Sequence, residues 1–237
     1  MLWVVIGIGV FFVFGIGLGM GTATKPGDLE AARAELKQRT GLAHVPGSDG
    51  ILLVAARELG RVRYEHRSHA EGPTDVSVGH WHLEPAQPLR ARLRLIERRL
   101  APVSTGERVA KAAADALMRS SRKVTITLPG PVPIGVPALD ERIVAFTDDP
   151  ASLATLVSDP ALVAQLLACA ELDLAVGPEG VTLHDPTRLN IGALMDPVRM
   201  GETNGAVVAR ATIVAHEKAI ALLERVASRL GPSAVYR

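Results

Sequence analysis

Four histidines lie close together in the chain: His66, His69, His80 and His82. His80 and His82 flank Trp81, and on a strand two residues so spaced point to one face. A third imidazole from a neighbouring strand would complete a nitrogen donor set suited to zinc or copper. His66 falls on such a neighbour. Pairing the two segments across Gly72-Pro73, however, sets His66 opposite about Ser77, a diagonal step from His80. The plainer reading is polar strand histidines, with His66, His80 and His82 as the candidate metal ligands and no cofactor expected.

Two acidic pairs, Asp140/Glu141 and Asp148/Asp149, have the residue types of general acid–base work. Asp149 precedes a proline and reads as a helix cap, and the others fall at strand ends where turns are polar. No G-x-S-x-G elbow is present to carry a nucleophile. The Gly7-Ile8-Gly9 step sits inside an apolar run and opens no phosphate loop. Arg90, Arg92 and Arg94 alternate with Leu89, Ala91, Leu93 and Leu95, which gives a strand with a cationic face. That face is the candidate contact for an anionic surface; a solvated strand face is the simpler reading.

The elements that must position these residues follow from local pattern. Asp28 caps a helix from Leu29 to Arg39, and Gly41 to Gly50 reads as a loop. Ile51 to Ala56 is a buried strand. Val62 to Arg67 and Asp75 to Glu84 alternate as antiparallel partners. Thr105 to Arg119 reads as a helix, Val124 to Leu128 as a strand, and Pro129 to Pro137 as a proline-rich connection. Arg142 to Phe146 is a strand. Asp149-Pro150 and Asp159-Pro160 each supply a cap and a proline at the first helical position, which predicts two short helices, Pro150 to Val157 and Pro160 to Ala170. Leu172 to His184 is a hairpin around Gly177 to Gly180, and Asp185 to Asn204 is irregular. A long helix from Gly205 to Leu230 carries an apolar stripe through Val207, Val208, Ala211, Ala215, Ala219, Leu222, Leu223, Val226 and Leu230.

Ahead of all this stands Leu2 to Gly21, an uncharged apolar run. At 1.5 Å per residue it is long enough, as a helix, to cross the roughly 30 Å hydrocarbon core of a bilayer. It lacks the basic n-region of a cleaved signal. No Lys or Arg precedes it, whereas Lys25, Arg33, Lys37 and Arg39 follow, a bias that predicts a cytoplasmic C-terminal domain. Gly15/Gly19 and Gly17/Gly21 have the small-xxx-small spacing that lets membrane helices approach.

Composition adds bounds. The only cysteine, Cys169, lies in an apolar run and cannot form an intramolecular disulfide. Residues 22–130 hold 18 Lys and Arg against 12 Asp and Glu, and residues 131–237 hold 8 against 13. A basic membrane-proximal half suits an anionic leaflet. Aromatic residues make up 3% of the chain, with no basic cluster among them, which argues against nucleic acid as a partner.

The run Asp140-Glu141-Arg142-Ile143-Val144, followed by Asp148-Asp149-Pro150 and leucine-rich helices, resembles segments of uncharacterised membrane-anchored proteins of high-G+C bacteria. The resemblance spans about residues 137–185, with Leu139 at a place where an aromatic would be expected. It implies anchoring and carries no activity, so no functional residue is transferred.

The expectation is therefore an α+β protein: a transmembrane anchor (1–22), a juxtamembrane helix and linker (23–49), and one soluble domain (50–231) of antiparallel strands with packed helices and a long C-terminal helix. A division of that domain into lobes 50–130 and 131–231 is the alternative. The expected role is a protein-binding or accessory module at the bacterial inner membrane. A membrane-tethered hydrolase with dispersed catalytic residues is the second reading, and a subunit oligomerising through the glycine-rich span is the third.

Overall fold

The computed structural model describes residues 26–45, 51–71, 74–101, 130–185 and 205–231. Among these residues, nine strands form one antiparallel sheet: β1 (Ala43–His44), β2 (Ile51–Arg57), β3 (Gly60–Glu71), β4 (Thr74–Pro85), β5 (Leu93–Glu97), β6 (Pro131–Val132), β7 (Ile143–Thr147), β8 (Asp173–Gly177) and β9 (Gly180–Asp185). Their spatial order is β1-β2-β3-β4-β9-β8-β5-β7-β6. Among the described residues, five α-helices accompany them: α1 (Pro26–Thr40), α2 (Pro137–Arg142), α3 (Pro150–Val157), α4 (Pro160–Ala168) and α5 (Gly205–Leu230). The fold is α+β.

The β8–β9 hairpin is inserted between β4 and β5, so strands from the second half of the chain pair with strands from the first. The described strands of residues 50–130 and 131–231 therefore share one sheet. Two glycines make the junction possible. Gly60 and Gly180, each opening the second strand of a hairpin at positive φ, lie against the backbone carbonyls of Glu84 and Leu83 respectively. A Cβ at either position would collide with β4, so the close approach requires glycine.

Alternation assigns the two faces. Leu53 and Ala55 on β2, Val62 and Tyr64 on β3, Trp81 and Leu83 on β4, Val181 and Leu183 on β9, and Leu93 and Leu95 on β5 are buried in one continuous core. Helix α5 lies over this face against β4 and β9, and α1, α3 and α4 pack against α5. Helix α1 is only weakly amphipathic, and Leu36 is its buried anchor. Arg39 joins it to α5 with a two-pronged ion pair to Glu217 at 2.8 and 2.7 Å. Both side chains are well exposed and solvent screens the pair, so apolar burial carries more of the docking.

The helices keep the predicted caps. Asp149 accepts the Ser152 N–H, and Asp159 accepts those of Ala161 and Leu162. Helix α3 runs over the predicted residues, and α4 ends at Ala168, two residues early. Helix α1 starts at Pro26, so Asp28 lies inside it and does not cap it. Pro137–Arg142 is a helical turn that follows the expected connection and takes Arg142 out of the strand expected from Arg142 to Phe146, with Leu139 buried beneath it. Asp140 fixes the preceding loop by accepting the N–H groups of Ile134 and Gly135 at 2.7 and 2.9 Å.

Among the described residues, no single helix is long and apolar enough to cross a membrane. The bent pair α3–α4 is apolar because Leu153, Leu156, Leu162 and Leu166 are buried in the core. The apolar run Leu2 to Gly21, with Gly15, Gly17, Gly19 and Gly21, lies outside the described residues. So do the Thr105–Arg119 helix, the Val124–Leu128 strand and most of the irregular stretch after Asp185.

Candidate functional site

The second face of the sheet, which carries none of the described helices, collects the titratable side chains. On β3 and β4, Glu65 stands directly across from His80, and His80 is across from His184 on β9. His80 Nε2 lies 3.2 Å from Glu65 Oε2, with 14% and 17% of these side chains exposed. The next rank, two residues along, runs Arg63, His82, Thr182. There His82 Nδ1 and the Thr182 hydroxyl are 2.9 Å apart. Continuing the β8–β9 register by one residue brings Asp173 beside His184. Asp173 is gripped by Arg94, whose Nε and Nη2 each donate at 2.8 Å.

Charge is balanced but unevenly bonded. Arg61 donates to Glu84 at 2.6 Å and holds that carboxyl below its ordinary value of 4.5; His82 and Arg63 push the same way. Arg63, between Glu65 and Arg61 on β3, keeps an enclosed Nε that has no hydrogen-bond acceptor among the described residues. A guanidinium presents five donors, so the enclosed Nε is one of several with which Arg63 can meet an acceptor.

Several sequence expectations are corrected here. His66 is across from Gly79, and the residue across from Ser77 is Ser68, so the inferred register was displaced by two. His66 is buried on the helix-covered face with Val62 and Tyr64, whereas His80 and His82 point to the other side. These three cannot share an ion. Among the described residues, no three His, Cys, Asp or Glu side chains converge as a metal site. Of the expected cationic face, Arg90 and Arg92 are exposed ahead of β5, but Arg94 is buried in its pair with Asp173 and is not a surface contact. Cys169 caps α4 half-buried, and burial raises its thiol pKa.

Glu65, Arg63, Thr182 and His184 were not singled out from the sequence. Alternation within Val181 to His184 does put Thr182 and His184 on one face. Only the insertion of β9 beside β4 makes them neighbours of His82 and His80.

No family model, no curated protein and no solved structure matches this chain. Fold and site define an α+β protein whose described helices cover one face of the sheet, while the other face carries titratable side chains on β3, β4 and β9 and a buried Ile96–Phe146 cluster on β5 and β7.

Proposed function

We propose that this chain is a single-pass, membrane-anchored binding module of the bacterial inner membrane, belonging with the uncharacterised anchored proteins it resembles. Its domain stands on the cytoplasmic side and engages a protein partner through the polar face of the sheet. The observation that carries the reading is the rank of titratable side chains across β3, β4 and β9, in which the ordered Glu65–His80 and Arg94–Asp173 pairs flank Arg63, whose Nε has no acceptor among the described residues. Such a face favours a partner that presents a carboxylate to Arg63. The apolar run Leu2 to Gly21 supports the anchor, and the Lys and Arg residues after it support the orientation.

Photo-crosslinking in membranes tests this. A photoreactive residue at Leu52 or His184, on the polar face, should give one discrete adduct that Arg63→Gln weakens at least about tenfold. The same residue at Lys218 on α5 should give none. Equal labelling from both sides, or indifference to Arg63→Gln, overturns the reading.

The second reading, a tethered hydrolase, is favoured by one contact. His82 and the Thr182 hydroxyl have the spacing of a base and its nucleophile. Against it, both residues sit within the β4–β9 ladder, whose backbone N–H groups are committed to strand pairing and unavailable to an oxyanion. Loss of ester hydrolysis in Thr182→Ala would favour the enzyme.

A further inference from the structure

Where α5 crosses β4, its docking depends on one nitrogen atom staying bare. Trp81 Nε1 can only donate, and it lies 2.8 Å from Nδ1 of His216, which is therefore the acceptor. His216 is fully buried, and Tyr64 meets its ring edge-on with centroids 5.0 Å apart. A proton on Nδ1 would be aimed at the indole N–H, and the imidazolium would be an enclosed charge. Protonation of this nitrogen and the docked position of α5 therefore exclude each other.

The described elements packed around His216 bring it no carboxylate. On β3, Tyr64 and His66 share its side of the sheet, a phenol and a second buried base. On β4, His80, His82 and Glu84 alternate to the face opposite Trp81. Strand β9 turns Val181 and Leu183 toward the helix and Thr182 and His184 away. Helix α1 brings Arg39, which engages Glu35 and Glu217 at the exposed rim. Helices α3 and α4 bring only their caps: Asp149 is taken up by Ser152, and Asp159 by Arg229, roughly three and a half turns beyond His216. On α5 itself, Thr212 is buried, Lys218 is exposed and Glu224 is bound by Arg57.

We propose that the Trp81–His216 bond is an acid-released latch: uptake of one proton at Nδ1 frees α5 from β4 and β9, with α1 carried along through Arg39. The proton comes from solvent, and the indole N–H passes to water. The face laid open is the apolar one that carries Tyr64, Leu83 and Leu183. Once released, the imidazole is solvated and takes its proton near the ordinary histidine value of about 6.5. The docked state binds fewer protons, so docking weakens as pH falls below that value. One proton limits the effect to about tenfold per pH unit, or about thirtyfold in all between about pH 7.5 and pH 5. This window lies above that of the carboxylate caps, and the latch is independent of the polar sheet face.

Hydrogen exchange read by mass spectrometry on the purified full chain in detergent, corrected for intrinsic exchange, tests this. Over that range the middle of α5 should lose about thirtyfold in protection, while β5 and β7 keep theirs. His216→Gln, whose amide oxygen accepts the indole N–H but takes no proton, should hold α5 protection flat. His66→Gln should leave the loss in place. Protection that is flat in the wild type, a loss that persists in His216→Gln, or one that vanishes in His66→Gln overturns the latch. So does an equal loss in β5 and β7, which would be unfolding of the whole domain. Imidazole-nitrogen NMR of the unaltered chain decides the matter even if His216→Gln does not fold. Nδ1 of His216 should stay bare while α5 is protected and become imidazolium only as protection is lost. An imidazolium beneath a protected α5 overturns the proposal.

Discussion

The indole N–H of Trp81 donates to Nδ1 of His216 at 2.8 Å, joining the centre of β4 to the middle of α5 across 135 residues of chain. Tyr64 completes the cluster, with ring centroids 5.0 Å from both partners and an edge-on approach to His216. All three are buried, His216 and Tyr64 completely. The contact fixes the imidazole, because Nδ1 must be the acceptor for an indole that can only donate. His216→Leu keeps the volume but strands the indole N–H and should cost about 2 kcal/mol. Urea unfolding followed by far-UV circular dichroism, a signal that survives removal of Trp81, measures it. The cycle with Trp81→Phe should show a coupling of about 1 kcal/mol, and strictly additive losses would mean that the bond contributes nothing.

Arg94 and Asp173 make the buried ion pair of the other face. Removing one partner of such a pair leaves an uncompensated charge, so Asp173→Leu alone should destabilise by about 3–5 kcal/mol. Replacing both, Arg94→Met with Asp173→Leu, should restore most of that loss, because the pair's mutual attraction is set against two desolvation penalties. Denaturant midpoints for the two variants decide it. A double variant as weak as the single one would show that the pair also orders β5 against β8.

How far the sequence foretold this architecture depends on how local the signal is. The caps of α3 and α4 were readable because Asp149-Pro150 and Asp159-Pro160 act within one turn. Helix α5 was readable in extent, and Ala219, Leu222, Leu223, Val226 and Leu230 of its stripe are buried. Its buried Thr212 and His216 were missed, since a polar residue on an apolar face is explained only by its partner, here Trp81. Alternation put Arg94 on the face opposite Leu93 and Leu95. It could not say that Asp173, 79 residues on, would cover it there. The His66 register slipped because the strands run closer to their turn than their hydrophobic pattern shows, pairing as far as Glu71 with Thr74. The polar rank itself depends on a non-local insertion, β8–β9 beside β4, that no neighbouring residues encode.

Acid should reveal the two caps. Burial alone would raise the Asp159 pKa, but the Leu162 N–H, the Arg229 side chain and the Ala161 N–H outweigh it, and the carboxyl ends below its ordinary 3.8. Asp149 is likewise lowered, chiefly by the Ser152 hydroxyl and N–H. A carboxylate depressed in the folded state contributes stability that is present above its unfolded pKa and lost as pH falls through the folded one. The urea midpoint of the wild type should therefore drop steeply below about pH 4. Asp149→Asn with Asp159→Asn should start lower at pH 7 and fall more gently on acidification. Parallel curves would mean that other carboxylates set the acid limit. At neutral pH, Asp149→Ala alone should cost about 1 kcal/mol through the lost cap.

The proposed anchor makes a prediction about distance as well as orientation. Helix α1 begins at Pro26, so few residues separate it from the apolar run ending at Gly21. At no more than about 3.6 Å per residue, the end of that run lies within roughly 20 Å of α1, which Arg39 and Glu217 tie to α5. On the proposed anchoring, a domain held that close would bring the basic flank of the run to the lipid surface, where each Lys or Arg contributes about 1 kcal/mol against an anionic leaflet. A reporter active only in the cytoplasm should work when fused after Arg237, and one active only outside should be silent. Adding three lysines after Met1 together with Lys25→Gln should reverse both results, because the positive flank is then on the other side. Reporter activity on the outer side in the unaltered chain would sink the orientation. Gly15→Ile with Gly19→Ile should leave the reporter pattern unchanged while abolishing any dimer made by the span. An unaltered dimer in that variant would remove the glycine face from the account.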